Sequence, residues 1–258
     1  MELSDYIRNK ISLSNEIFDL VKKTSNLLSS KDSKILESKE YLDSRILPFY
    51  QKKYQFGYFP PTDYFSFFSK SNIQTLQKIN VLFKKDIGYD CLFKHHTIVF
   101  PILDDYGYAV GLIARTIDDE FCKENNISKY KYSTFHKSFI LFGLNFAKEA
   151  ILTKKSAILV EGQFDKIACD YIGQHNVVAT GGISLNYYQL FLLKKYGAKK
   201  IYLLFDNDDP GQKASYKILK KFEEYSEFDK IVIPSKYHDI DEYIKLSKNT
   251  NNSIFDAL

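Results

Sequence analysis

The feature of this sequence that most constrains its fold is a regular alternation of apolar and helix-like segments after residue 155. Short apolar runs occupy residues 156–162, 176–182, 199–208 and 229–235. Segments with helical periodicity follow these runs, at residues 164–172, 185–196, 210–225 and 241–246. Strands that are apolar on both faces and joined by helices are typical of a parallel sheet covered by helices. The pattern therefore predicts an α/β domain.

The first part of the chain shows a different pattern. Apolar residues recur at helical spacing through residues 1–50, and two apolar runs within residues 97–117 predict a β-hairpin. A polar, Lys/Tyr-rich connection is expected at residues 118–138, followed by a short helix at residues 145–152. The expected organisation is an N-terminal mixed α+β subdomain over residues 1–153, a parallel-sheet subdomain over residues 154–246 and a polar tail over residues 247–258.

Charge and cysteine content narrow the class of protein. The chain carries 36 basic and 32 acidic side chains, and a net charge of +4 does not by itself indicate a nucleic-acid-binding protein. Three basic residues are arginines (Arg8, Arg45 and Arg115), so each stands out against a strong lysine bias. The three cysteines are far apart, which disfavours a disulfide framework and a zinc module. With no signal pattern and no long apolar run, we expect a soluble cytoplasmic protein that does not span a membrane.

Six acidic residues follow the predicted strands closely. They are Glu161, Asp165, Asp206, Asp208, Asp239 and Asp241. In a parallel α/β sheet, ligands bind beyond the carboxyl ends of the strands. Carboxylates gathered there raise one another's pKa, and a hard divalent cation removes that cost. Such a site can carry out a phosphoryl or nucleotidyl transfer.

Some acidic residues near these strands also have a structural interpretation. Asp209 precedes Pro210 and lies three residues before Gln212, which predicts that Asp209 is the N-cap of a helix. Asp239 with Glu242 fits a capping box and a metal ligand equally well.

The strongest candidates for metal binding are Glu161, Asp206 and Asp208. Asp206 and Asp208 cannot both be helix caps, and Glu161 at a strand exit has no evident structural role. The residues alone leave metal binding and a structural role open for this set.

Eight segments carry a resemblance to a known family. VEG at residues 160–162 and DND at residues 206–208 resemble the TOPRIM fold of primases, topoisomerases and some nucleases. The segments, in chain order, are FGYFPP, IVFPILDDYGYAVGLIAR, KYKYS, FHKSFILFGLNFA, EGQFDKIA, VVATGGISL, FDNDDPGQKA and IPSKYHDIDEYI. Together, over residues 12–246, they resemble the catalytic core of bacterial primases of the DnaG type.

The resemblance implies a function and a set of site residues. It implies synthesis of short RNA primers on single-stranded DNA, by attack of a ribonucleotide 3′-hydroxyl on the α-phosphate of an NTP. It implies a catalytic set of Glu161, Asp206 and Asp208, with Glu161 as acid/base. It implies that two or more Mg or Mn ions are held by Glu161, Asp165, Asp206, Asp208, Asp239 and Asp241. It also implies a basic groove with Arg115, Lys129 and Lys137.

The sequence departs from the family pattern at several positions. Tyr132 stands where the family has Asn, and Ala114 precedes Arg115 where the family has Gly. His238 and Ile240 replace a Lys and a Pro beside the last aspartate pair. The family's zinc-binding and helicase-binding modules are not seen. We therefore expect a minimal core, of phage or plasmid origin or a piece of a longer protein, that works with a helicase or a separate zinc-module protein.

Other functions remain open from the sequence. One is a TOPRIM-type metal-dependent nuclease or repair protein, and another is a catalytically degenerate, primase-like DNA-binding subunit. A topoisomerase is disfavoured because the chain is too short for a strand-passage gate. A P-loop nucleotide triphosphatase is disfavoured because the sequence contains no G-x-x-x-x-G-K-[ST] loop.

Overall fold

The computed structural model describes residues 3–30, 32–247 and 253–255. The chain divides into two compact units, one of Met1–Leu103 with Gly107–Phe135 and one of Asp104–Tyr106 with His136–Leu258. In the described part of the chain, no helix combines the length and the apolar character that a membrane crossing requires.

The first unit packs helices against an antiparallel sheet. Its helices are α1 (Leu3–Leu27), α2 (Ser33–Arg45), α3 (Pro48–Lys53), α4 (Tyr64–Phe67), α5 (Lys70–Lys78) and α6 (Asp119–Glu124). Its strands are β1 (Gly57–Tyr58), β2 (Leu82–Lys84), β3 (Tyr89–Cys91), β4 (Ile98–Leu103), β5 (Ala109–Arg115) and β6 (Tyr130–Tyr132). The main sheet has the order β1-β4-β5-β6, and β2 pairs with β3.

Helix α1 supplies much of the core of this unit. Its buried apolar residues Ile17, Leu20 and Val21 recur at helical spacing and belong to one core cluster with Leu112 of β5. Helix α1 packs so closely on β1 that a Cβ at Gly57 would overlap Thr24 of α1. The helical prediction for residues 1–50 is thereby confirmed.

The predicted β-hairpin is confirmed, and the predicted polar connection after it is not. Strands β4 and β5 pair in antiparallel register, with Ile98 opposite Arg115. The segment expected to be a connection contains α6, which Asp118 caps by accepting a hydrogen bond from the Phe121 N–H at 2.8 Å. It also contains β6, which pairs with β5. Strand β6 lies at the edge of the sheet, and its Tyr and Lys side chains are partly exposed, as polar side chains on edge strands often are.

The second unit is the predicted parallel sheet with helices. Its helices are α7 (Leu144–Lys154), α8 (Gln163–Tyr171), α9 (Tyr187–Lys195), α10 (Asp209–Phe222) and α11 (Ile240–Leu246). Its strands are β7 (Ser156–Val160), β8 (Val177–Ala179), β9 (Lys200–Leu203) and β10 (Glu227–Lys230), and 3₁₀ turns lie at Lys137–Phe139 and Ser253–Phe255. The strand order is β10-β9-β7-β8, and every adjacent pair of strands is parallel.

One domain boundary differs from the sequence-based expectation. The division between units falls after Phe135 rather than after residue 153. The reason is that Leu144, Ala147 and Ile151 of α7 are buried in the same core cluster as Leu159 of β7. The tail expected at residues 247–258 falls mostly outside the described residues.

The fourth strand is also displaced. Strand β10 begins at Glu227, whereas the apolar run predicted a strand over residues 229–235. Ile231 and Ile233 are buried in the loop that follows β10, so apolar character marks burial there and not a strand. The third strand ends at Leu203, which places Asp206 and Asp208 in a loop rather than in an extended strand.

Candidate active site

The candidate site lies beyond the carboxyl ends of the two central strands of the parallel sheet. Glu161 directly follows β7, and the Asp206 loop follows β9. The Asp206 backbone N–H donates a hydrogen bond to Oε1 of Glu161 at 3.3 Å. A Cβ at Gly211 would lie 2.7 Å from the same Oε1, so glycine is required where α10 approaches Glu161. We call Glu161, Asp165, Asp206, Asp208, Asp239 and Asp241 the acidic rim.

Burial and charge repulsion together raise the pKa values at the centre of the acidic rim. Burial, together with the charge of Asp206, raises the pKa of Glu161 to about 7. Burial and the charge of Asp239 raise the pKa of Asp206 to about 6. His238 lies beside Asp206, with 3.9 Å between its Nδ1 and Oδ2 of the carboxylate. Glu161 and Asp206 therefore hold negative charge at a free-energy cost in the absence of a cation.

Asp208 is the N-cap of α10. Its Oδ1 accepts a hydrogen bond from the Gly211 N–H at 2.8 Å. The prediction that Asp209 is the cap is wrong, because Asp209 is already the first helical residue and Asp208 has the extended backbone that a cap requires. The side chain of Gln212 donates to the Asp206 carbonyl oxygen at 2.9 Å instead of completing a capping box with Asp209.

Asp165 is a buried carboxyl group of the acidic rim. It occupies the third position of α8, where its Oδ2 accepts a hydrogen bond from the Gly162 N–H at 3.0 Å. Burial raises its pKa well above the usual range, and the charges of Asp206, Asp239 and Asp241 add to the effect.

Asp239 and Asp241 flank the start of α11. Asp239 caps the helix through the Glu242 N–H at 2.7 Å, and Glu242 accepts a hydrogen bond from the His238 N–H at 2.6 Å. The carboxylate of Asp241 is buried and paired with Lys245, with 2.6 Å between Oδ2 and Nζ. A capping role for Asp239 is thus present in the structure, and metal ligation by this pair stays a prediction.

The donor chemistry of the acidic rim fits a hard divalent cation. Its side chains offer carboxylate oxygens, and repulsion between Glu161 and Asp206 favours a bound positive charge. Among the residues that the structure describes, no three His, Cys, Asp or Glu side chains are arranged around one point as a ligand set. The reason is local, because the carboxylates of Asp165, Asp208 and Asp239 are turned toward backbone N–H groups at helix starts.

The basic residues predicted from the resemblance lie in different units. Arg115 and Lys129 belong to the first unit, whereas Lys137 belongs to the second. The side chain of Arg115 is buried, and its Nε donates to the Tyr41 hydroxyl at 2.6 Å. Its guanidinium lies over the Tyr130 ring, 4.9 Å from the ring centroid. Arg115 is therefore held by protein groups and does not form an open cationic surface.

Lys129 and Lys137 are exposed. Lys129 forms an ion pair with Asp119, with 3.0 Å between Nζ and Oδ2, and Arg115 contacts the same carboxylate. Lys137 lies in the 3₁₀ turn that precedes α7, and partial burial lowers the pKa of its ammonium group. A role of these three residues in binding nucleic acid stays a prediction.

The sequence analysis missed a buried ion pair on α8. Nζ of Lys166 lies 2.5 Å from Oδ1 of Asp170, and the two side chains are 0% and 1% exposed. His175 contacts the same carboxylate oxygen through Nδ1 at 3.2 Å. The four-residue spacing of Lys166 and Asp170 is a recognisable signal, but it usually marks a pair on the solvent face of a helix.

The chain is similar to known proteins over both of its units. Residues 24–148 match the family model "DNA primase catalytic core, N-terminal domain", and residues 158–244 match the model "Toprim-like". The DNA primase of Aquifex aeolicus is 35% identical over 210 residues, covering 80% of this chain and 41% of the relative. The DNA primase of Lactococcus lactis is 32% identical over 205 residues, covering 76% of this chain and 30% of the relative.

Solved structures give the same result for the fold. The crystal structure of the zinc-binding and RNA polymerase domains of the Aquifex aeolicus primase has a TM-score of 0.76 at 31% identity, covering 90% of this chain and 57% of that one. The RNA polymerase domain of the Mycobacterium tuberculosis primase has a TM-score of 0.75 at 21% identity, covering 91% and 79%. The second likeness shows the fold alone.

The parallel sheet that bears the acidic rim belongs to the Toprim-like class of domains. The preceding unit narrows the class, and the chain belongs to the family of DnaG-type DNA primases, of which it represents the catalytic core. It spans less than half the length of the Aquifex and Lactococcus relatives. The fold class predicted from the sequence is confirmed.

Proposed function

We propose that this chain synthesises short RNA primers on single-stranded DNA. The observation that carries the proposal is the acidic rim, in which Glu161 and Asp206 adjoin at the carboxyl ends of β7 and β9 with raised pKa values. The relatives named DNA primase support the same activity, since they match both units of the chain.

In the proposed reaction, Glu161 removes the proton from the attacking 3′-hydroxyl of a ribonucleotide. A carboxyl group with a pKa of about 7 is well suited to accept and release a proton near neutral pH. The hydroxyl oxygen forms a bond to the α-phosphorus of the NTP, the bond to the β-phosphate oxygen breaks, and pyrophosphate leaves. The proton passes to Glu161 and then to solvent.

Asp206 and Asp208 would hold the divalent cations, with Asp165, Asp239 and Asp241 supporting them. We propose Mg or Mn, in two or more ions, as the metals. Bound cations supply positive charge to the phosphate oxygens in the transition state. Asp208 also has a structural role. As the N-cap of α10, it holds the backbone of Gly211 close to Glu161.

The proposed substrates are a single-stranded DNA template and NTPs. A DnaG primase catalytic domain that is 22% identical was solved bound to single-stranded DNA, which supports a comparable template for this chain. We propose that the ammonium groups of Lys129 and Lys137 contact phosphates. Arg115 acts by a different route, since it holds the Tyr130 side chain in place. A helicase and a zinc-module protein are the proposed partners, acting at a replication fork in the cytoplasm.

The test is a primer-synthesis assay with labelled NTPs, mixed-sequence single-stranded templates and Mg²⁺. The informative variant is Asp206→Asn with Asp208→Asn, because asparagine removes the negative charge yet still caps a helix. We expect RNA products from the wild-type chain and none from the double variant, with DNA binding retained in both. DNA fragments in place of primers would support the nuclease alternative, and primers from the double variant would contradict the role of the acidic rim.

A further inference from the structure

The second unit carries a row of exposed aromatic rings away from its core. His136 contacts Phe139, Phe139 contacts Tyr188 and Tyr188 contacts Phe191, with 5.6, 4.8 and 5.9 Å between successive ring centroids. Phe139, Tyr188 and Phe191 are 51%, 44% and 56% exposed. We call these four residues the aromatic row.

The core does not account for the aromatic row. Helix α9 buries Leu190, Leu192 and Leu193 on its inner face. Tyr188 and Phe191 are on the outer face, where polar side chains are the usual occupants. A connected patch of exposed rings indicates a binding surface, whereas single exposed apolar residues are ordinary.

Two hydrogen bonds from side chains of the α9 start hold the aromatic row in place. The side chain of Gln189, which is buried, donates to the Ile140 carbonyl oxygen at 2.8 Å. The side chain of Asn186 donates to the Ser138 carbonyl oxygen at 2.9 Å and also caps α9 through the Gln189 N–H at 3.0 Å. These bonds fix the 3₁₀ turn that bears Phe139 on the start of α9. The rings are therefore positioned before any ligand arrives.

The charge of the two segments that bear the aromatic row suits an anionic ligand. Residues 136–148 and 171–205 contain no Asp or Glu and carry six lysines between them. Of these, Lys137 is exposed and lies in the same 3₁₀ turn as Phe139. A ligand on the aromatic row therefore lies beside an ammonium group and meets no acidic side chain of these segments.

We propose that the aromatic row is a stacking platform for the unpaired bases of single-stranded DNA. Aromatic rings beside a basic surface bind single strands with little sequence preference, because every base offers a π-face. Lys137 lies between His136 and Phe139, so phosphate contact and base stacking would occur on one short segment. This inference rests on the proposed function, since the template of a primase is single-stranded.

The test compares oligo(dT) with an abasic deoxyribose-phosphate oligomer of the same length, by fluorescence anisotropy on the full chain. We expect the wild-type chain to bind oligo(dT) more tightly than the abasic oligomer. Tyr188→Leu with Phe191→Leu keeps apolar side chains but removes two π-faces, and it should weaken oligo(dT) binding by roughly 5- to 100-fold. Binding of the abasic oligomer should not change, because the phosphate contacts remain.

Matched controls separate stacking from general damage to the surface. Tyr216 lies on α10 and is 66% exposed, so Tyr216→Leu removes an equally exposed ring outside the aromatic row and should leave affinity unchanged. Tyr188→Phe keeps the ring and should retain wild-type affinity. Circular dichroism on every variant checks that α9 remains folded.

Several outcomes would overturn the proposal. Equal affinity of the wild-type chain for oligo(dT) and the abasic oligomer is one, and unchanged oligo(dT) binding in the Tyr188→Leu, Phe191→Leu variant is another. Tighter binding of oligo(rU) than of oligo(dT), lost in the same variant, would assign the surface to RNA instead. Primer synthesis is measured separately, so a chain that makes no primers yet loses oligo(dT) binding in the variant contradicts only the proposed function.

Discussion

Helix α8 contributes residues to two buried groups of charges, one of which is neutralised within the protein and one of which is not. At its start, Asp165 faces other carboxyl groups of the acidic rim, and its pKa is raised by burial and by their charges. The next residue, Lys166, neutralises Asp170 at 2.5 Å. Buried charges with a structural role are paired within the protein, whereas Glu161 and Asp206 of the acidic rim repel each other and leave that repulsion to be relieved by a ligand. Pairing therefore distinguishes buried charges that support the fold from those that form the candidate site.

The largest effect should follow from removing the charges of the acidic rim. Asp206→Asn with Asp208→Asn should lower the rate of primer synthesis by at least roughly 1,000-fold, because metal-held charge stabilises a phosphoryl transition state by several kcal/mol. Steady-state incorporation of labelled NTPs measures this change. A loss of less than tenfold would remove these residues from the reaction.

Breaking the buried ion pair of Lys166 and Asp170 should mainly lower the stability of the fold. Lys166→Met leaves the Asp170 carboxylate buried without its lysine, which should lower the free energy of unfolding by about 3–5 kcal/mol. Urea denaturation measures this difference. Lys78→Met is the control, because its pair with Glu16 is largely exposed and should contribute about 0–1 kcal/mol. An equally small effect of Lys166→Met would contradict the structural role of the pair.

A variant that removes the charge of Glu161 should raise the free energy of unfolding, whereas Lys166→Met should lower it. The pKa of Glu161 is about 7 in the folded chain, above its usual 4.5, so folding favours the protonated form. Its contribution to stability is complete below pH 4.5 and is lost as the pH rises through 7. Glu161→Gln should therefore be more stable than wild type at pH 8 by roughly 2 kcal/mol, with little difference at pH 4.5.

Urea denaturation at both pH values, with EDTA present, measures this prediction. Glutamine keeps an oxygen for the Asp206 N–H, so the hydrogen bond does not confound the comparison. Addition of Mg²⁺ should stabilise the wild-type chain more than the variant. A variant that is less stable at pH 8 would show that the repulsion is already compensated.

The smallest effect should follow from removing the N-cap of α10, Asp208, which is also a residue of the acidic rim. Asp208→Ala removes the acceptor for the Gly211 N–H and should cost about 1 kcal/mol, whereas Asp208→Asn should cost almost nothing. Thermal unfolding of the two variants measures the difference. Equal stability of both variants would show that the cap does not contribute.

Periodic patterns in the sequence predicted the larger elements correctly. The hairpin of β4 and β5 and the strand–helix alternation after residue 155 both appear in the structure. Local chemistry was less decisive, because Pro210 and Gln212 favoured Asp209 as the cap in sequence, whereas the path of the loop selects Asp208. The apolar residues Ile231 and Ile233 are buried in a loop, which periodicity does not distinguish from a strand.

The side-chain environments of the predicted site residues also depended on the fold. Arg115 was expected at a basic groove, and the structure buries it against Tyr41 and Tyr130. Lys166 and Asp170 gave only a helix-surface spacing in the sequence, and the packing of α8 buries both. The aromatic row joins residues about 50 positions apart, which no local pattern connects.

The sequence by itself determined the alternation of strands and helices after residue 155, the resemblance to the primase family and the positions of the carboxylates near the strand ends, because these properties depend on residue type and spacing along the chain. Tertiary structure alone decided which carboxylates repel one another, which cap a helix and which rings form a surface. Those properties depend on distance and burial, and the fold sets both by bringing distant segments such as Glu161 and Asp206 together.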